Sequence, residues 1–165
     1  MKTFEFSIVA SGLNHEADDF EDRFYDAGCD DATIAFTRGS IILQFAREAD
    51  TLEQAIDLAI ASVRKAGASV NRIEPDYLVS MAEIAERAGL SRAAISNYVS
   101  GERGRNFPHP IARVTTESPL WDWTDVARWL HETDRISEFA VLEAEVIKTA
   151  NDNLQREQER QRQRA

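Results

Sequence analysis

The stretch LVSMAEIAERAGLSRAAISNYV, Leu78–Val99, decides how the chain is read. Ser80, with Glu83 three positions later, has the form of a capping box that starts a short helix. Ile84 and Ala85 are expected to face inward, and Ala88-Gly89-Leu90 to end the helix in a turn where glycine tolerates a positive φ. Ser91 is expected to cap a second helix, with Ile95 and Val99 pinning it against the first. A small residue at Ala85, a glycine in the turn and a branched residue at Ile95 suit two helices crossing at about 90–120°. The pattern predicts a helix-turn-helix whose second helix presents Arg92, Ala93, Ser96 and Asn97 outward. Short polar or basic groups on such a face fit phosphates and major-groove base edges.

Working toward the C-terminus, Arg87, Arg92, Arg103, Arg105 and Arg113 stand against a single acid, Glu102, over residues 87–113. Ser100–Pro110 reads as loop. Ile111–Val114 and Leu120–Trp123 are expected to pair as a hairpin around Thr115–Pro119, and Thr124 to cap a further helix with Val126, Trp129 and Leu130 buried. Arg103 and Arg105 would then lie in a flexible loop and Arg113 in a wing, where guanidinium groups match phosphate oxygens. The alternative is a helical hairpin with a solvated arginine face. Trp121, Trp123 and Trp129 are read as core of a small domain, against the sharper alternative of a wedge between bases.

Beyond them, Phe139, Leu142, Val146 and Ala150 recur at helical spacing and are expected to form a dimer interface over residues 137–154, the alternative being a helix folded back on its own chain. Gln155–Ala165 is expected to fray.

Toward the N-terminus, Thr3–Ala10 alternates Phe4, Phe6 and Ile8 with Glu5 and Ser7, as a half-buried strand does. Leu13, Ala17, Phe20 and Phe24 fall at helical spacing up to Gly28. Ala32, Ile34 and Phe36, then Ile41, Leu43 and Phe45, alternate on either side of Arg38-Gly39, which predicts a hairpin. Thr51 with Gln54 caps a helix carrying Leu52, Ala55, Ile56, Ala59 and Val63, and Val70–Ile73 is a short strand candidate. The order βαββαβ folds most simply as a ferredoxin-like sandwich, and Pro75-Asp76 marks its end. The fold class expected is α+β: a ferredoxin-like domain over 1–75, a winged helix-turn-helix over 76–133, and a C-terminal helix with its tail over 134–165.

The net charge of −10 argues against non-specific polyanion binding by the chain as a whole, but it is unevenly spread. Residues 1–76 hold 7 basic and 15 acidic side chains, residues 77–131 hold 6 of each, and residues 132–165 hold 6 and 8. The run Asp18, Asp19, Glu21, Asp22 and Asp26 reads as a solvated helix face, the alternative being a cation site or a dock for a basic partner. Cys29 is the single cysteine and is read as semi-buried, with Asp30-Asp31 raising its pKa. His15, His109 and His131 have no ligand-like spacing, so no metal is expected. No nucleophile–base set, phosphate-binding glycine loop or paired carboxylates stand at a recognisable spacing, so neither an enzyme nor a cofactor is expected. No membrane span or signal segment is read, and a cytoplasmic location is expected.

Three stretches, LVSMAEIAERAGLSRAAISNYVSGERG, FPHPIARV and LWDWTDVARWL, resemble the helix-turn-helix and wing of mercury-resistance-type (MerR-like) regulators and phage excisionases. GCDDATIAFTRGSIILQFAREADTLEQAI resembles the ferredoxin-like half fused to such modules in bacterial proteins, and together the resemblance spans about residues 4–131. It implies DNA contacts by Ser91, Arg92, Ser96, Asn97 and Arg113. After residue 131 the chain departs from MerR-type regulators, which continue into a long coiled-coil helix and an effector domain. The function expected is a DNA-binding transcriptional regulator, a homodimer on double-stranded DNA, with a small-molecule or protein partner at the N-terminal domain. The alternative is an antitoxin-like or adaptor protein whose acidic domain binds another protein.

Overall fold

The structure, a computed structural model, describes residues 1–165. It is an α+β chain of six helices, a four-stranded antiparallel sheet and a separate two-stranded ladder. Two compact units divide it: Met1–Pro75 with Thr149–Ala165, and Asp76–Lys148. No helix is long and apolar enough to cross a membrane.

In the first unit the elements are β1 (Lys2–Ser11), α1 (Phe20–Asp26), β2 (Ala32–Thr37), β3 (Ser40–Ala49), α2 (Leu52–Lys65) and β4 (Ser69–Glu74). The sheet runs β2-β3-β1-β4 with every neighbour antiparallel. Phe6 pairs with Phe45 and Ile8 with Leu43, so the alternating apolar sets of β1 and β3 fall on one face. That face is buried with Phe20 and Phe24 of α1 and with Leu52, Ala55, Ile56, Ala59 and Val63 of α2. Each large side chain so buried contributes roughly 1.5–3 kcal/mol. Arg38 and Gly39 both take positive φ in the two-residue turn joining β2 to β3, as such a hairpin requires. The first helix is shorter than its spacing suggested: Leu13 and Ala17 precede it in turns, and Thr51 accepts from the Gln54 amide at the start of α2 as expected.

Arg47 is the polar intruder in this core. Paired with Phe4 on the inner face and 9% exposed, it donates to both carboxylate oxygens of Asp31, at 2.7 and 2.9 Å, and to the Gly28 carbonyl. Buried beside it, Cys29 is fully enclosed rather than semi-buried. Its thiol is pushed up to about 11, by burial first, against the pull of Arg47 and with smaller additions from Asp31 and Asp30. His15 stacks on Phe36, ring centroids 3.6 Å apart.

The second unit contains β5 (Leu78–Val79), α3 (Met81–Ala88), α4 (Arg92–Ser100), β6 (Trp121–Asp122), α5 (Trp123–Glu132) and the start of α6 (Glu138–Arg164). Trp121, Trp123 and Trp129 are core, packed with Val79, Ile84, Ile95, Tyr98 and Leu130. Several expectations are corrected here. Tyr98, not Val99, seals α4 with Ile95; Val99 is 41% exposed. Asp122, not Thr124, caps α5, accepting from the Thr124 amide and hydroxyl and from the Lys148 ammonium. The expected hairpin shrinks to one bridge, Ala112 to Leu120, while Trp121-Asp122 pairs instead with Leu78-Val79. Pro110 and Pro119 flank that bridge and lack the N–H groups a longer ladder needs, and Arg113 at φ 53 turns the strand away.

Helix α6 is continuous to Arg164, so the tail expected to fray is helical. Its residues up to Lys148 belong to the second unit and those from Thr149 to the first. Val141, Ala144 and Leu154 are its buried positions, so the helix folds back on its own chain along a line offset from the expected stripe. Phe139 and Leu142 remain exposed, and Val146 and Ala150 are half-buried. In the first unit the Asn151 side chain exchanges both hydrogen bonds with the Ile73 backbone, and Gln158 donates to the Asn71 carbonyl. The amides thus cover the outer edge of β4 as a neighbouring strand would. Arg64 pairs with Glu157, adding a tie along the Gln- and Arg-rich tail, whose residues are themselves good helix formers.

Candidate nucleic-acid interface

Local rules build the helix pair. Ser80 and Glu83 exchange hydrogen bonds in a complete capping box, and Ser91 accepts from the Ala94 amide. Gly89 ends α3 at φ 67, with open space where a Cβ would stand, so its requirement is conformational rather than steric. Ile84 and Ile95 are fully buried between the helices. Of the outward set, Arg92, Ala93 and Ser96 are exposed together with the cap Ser91, and Asn97 is half-buried.

The eight basic side chains of the second unit fall into two groups. Arg87 donates to the Asp76 carbonyl and lies over the Trp123 ring, and burial lowers its pKa against the opposing pull of Glu83, Asp76 and Glu86. Arg128 pairs with Asp125 and Glu145, Arg135 lies over Tyr98, and Lys148 bonds Asp122. These four hold the fold. Arg92, Arg103, Arg105 and Arg113 are exposed and take part in none of the ion pairs or ring contacts. Their charge is unspent, so the expected contact arginines separate cleanly from Arg87, which sequence proximity had grouped with them.

The loop carrying Arg103 and Arg105 is not the free segment its composition suggested. Gly101 closes α4 at φ 81, and the Arg103 amide donates to the Asn97 carbonyl at 3.2 Å. Trp129 Nε1 donates to the Arg105 carbonyl at 2.8 Å, and Trp121 Nε1 to the Pro108 carbonyl at 2.9 Å. Phe107 stacks near Tyr98 and meets Trp129 edge-on at 5.1 Å. Nothing in the periodicity of residues 100–110 signals these anchors; the sole hint is that buried indoles require acceptors.

Arg113 stands on a turn closed by the Thr116 amide and hydroxyl on its own carbonyl. In the first unit an open groove of about 470 Å³ is lined by Gly28, Asp31, Arg47, Leu58, Ser62 and Lys65. No group of three or more His, Cys, Asp or Glu side chains is arranged to hold a metal ion. Compared with protein-family models, curated proteins and solved structures, the chain finds no match.

Proposed function

We propose that the protein is a DNA-binding transcriptional regulator whose second unit reads duplex DNA through α4, the 101–108 loop and the 111–120 turn. One observation carries this reading: four of eight cations in the unit are consumed by the fold, and the four unspent ones lie on α4 and the two segments that follow it. On this reading Arg92, Ala93 and Ser96, with Ser91 and Asn97 beside them, face the major groove, and Arg103, Arg105 and Arg113 meet phosphates.

The β5–β6 ladder, which brings the return strand before α5 beside the strand before α3, supports a winged helix-turn-helix with a reduced wing. The order β2-β3-β1-β4, with α1 and α2 as connections, supports a ferredoxin-like first unit. An effector would enter that unit at the groove beside Arg47 and Asp31. Because one module spans few base pairs, a two-fold dimer is part of the proposal, and the exposed pair Phe139 and Leu142 is its contact.

The test is selection of bound sequences from a random duplex pool with the intact protein. An enriched motif is expected, bound by Arg92→Ala or Ser96→Ala about 1–3 kcal/mol more weakly at unchanged thermal stability. Recovery of no motif, or full binding by both variants, contradicts the reading.

A further inference from the structure

We infer that Arg103 and Arg105 are offered to phosphate by a loop already fixed in the free protein, with Trp129 its principal positioning residue. The inference rests on the DNA-binding reading above and adds how its phosphate contacts are organised.

The backbone is over-determined at every step through this segment. The Arg103 amide is tied to the α4 carbonyl of Asn97, so Arg103 keeps a set distance from the outward face of the same helix. Gly104, at φ 71, lies flat on the indole: a Cβ there would sit 2.8 Å from Trp129 Cζ2, and only glycine fits both the conformation and the gap. The next carbonyl, that of Arg105, receives the Trp129 indole proton. Asn106 then takes a positive φ of 63, Phe107 enters the aromatic cluster, and the Trp121 indole proton holds the Pro108 carbonyl. Backbone is thus gripped on both sides of two side chains that are themselves exposed to solvent. Such a loop has lost its conformational entropy on folding, and a phosphate that meets both guanidinium groups need not order it again. Gly104 and the indole proton serve presentation; the charge belongs to the arginines.

A double-mutant cycle on the intact protein tests this, with a fluorescent random-sequence duplex of about 20 base pairs as probe. Trp129→Phe keeps an aromatic ring and removes the indole N–H. It is expected to weaken binding about tenfold, the scale of ordering one backbone residue, and to do nothing further when Arg103 and Arg105 are both alanine. Gly104→Ala, which keeps the Trp129 indole N–H but sets a Cβ against its ring, is expected to show the same loss and the same dependence on the two arginines. In the free protein, the Trp129 indole proton is expected to exchange slowly and residues 103–106 to be as ordered on the nanosecond scale as α4.

Losses that persist undiminished in the arginine-free background overturn the inference, because they describe general damage to the fold. So does a mobile 103–106 segment in the free protein. If the wild-type chain fails to bind the duplex at all, the DNA reading falls and takes this inference with it; if it binds and the cycle is additive, the inference alone falls.

Discussion

The first unit closes on aliphatic and phenylalanine side chains, whereas the second sets three tryptophans and a tyrosine among its aliphatic ones. An aliphatic core has no polar handle, so anchoring in the first unit comes from added groups: Arg47 reaching Asp31 and Gly28, and the α6 amides on the β4 edge. In the second unit Trp121 and Trp129 carry the handle themselves, and each spends it on a loop carbonyl. A core of the first kind supports a sheet; one of the second kind also shapes what stands outside it. The tryptophans supply a probe as well, since all three lie in the second unit and their fluorescence reports on it alone.

The strongest way to break the comparison is at Arg47. Arg47→Ala leaves Asp31 half-enclosed without its partner and is expected to cost about 3 kcal/mol. Far-UV circular dichroism on heating should show the loss at lower temperature while tryptophan emission keeps its midpoint. A joint shift of both signals would mean that the units unfold together.

Asp122 gives a smaller and pH-dependent effect in the second unit. Burial pushes its carboxyl up, but the Lys148 ammonium and the Thr124 hydroxyl and amide outweigh it and hold the group below its ordinary value. With the folded value depressed, its stabilisation is complete above the unfolded value of about 3.9 and is lost as pH falls through the folded one. Asp122→Asn should therefore cost about 1–2 kcal/mol at pH 7, and its tryptophan-monitored stability should fall less steeply than the wild type's in acid. Parallel acid profiles would remove Asp122 from the account.

Smaller still is the edge of β4. Asn151→Ala removes two hydrogen bonds from Ile73 and should cost about 1 kcal/mol, with faster hydrogen exchange at the Ile73 amide. Unchanged exchange there would show that the edge is held without the amide.

These sites also mark where sequence reading succeeds and stops. Period-two alternation over 3–10 and 41–45, the Arg38-Gly39 turn and the serine caps at 80 and 91 are local, and local chemistry leaves its marks within a few residues. The pairing of Trp121-Asp122 with Leu78-Val79 joins positions some forty residues distant, and no local pattern records it. Phe139 and Leu142, more apolar than Ala144, drew the expected stripe, yet Ala144 is the side chain small enough to lie against the core, and Phe139 and Leu142 stay exposed. Arg87 looked like its neighbours until the Trp123 ring appeared beneath it. The four exposed arginines were legible as residues; their freedom from partners was not.

On the proposed reading Arg103, Arg105 and Arg113 are kept for phosphate, and salt dependence measures this directly. For the intact protein on its selected duplex, log K against log salt concentration gives the number of phosphates neutralised. Replacing Arg103, Arg105 and Arg113 together with alanine is expected to flatten that slope by about 0.9 for each phosphate left without its arginine, so by nearly 3 in total. A slope identical to that of the wild type would show that these arginines meet only water.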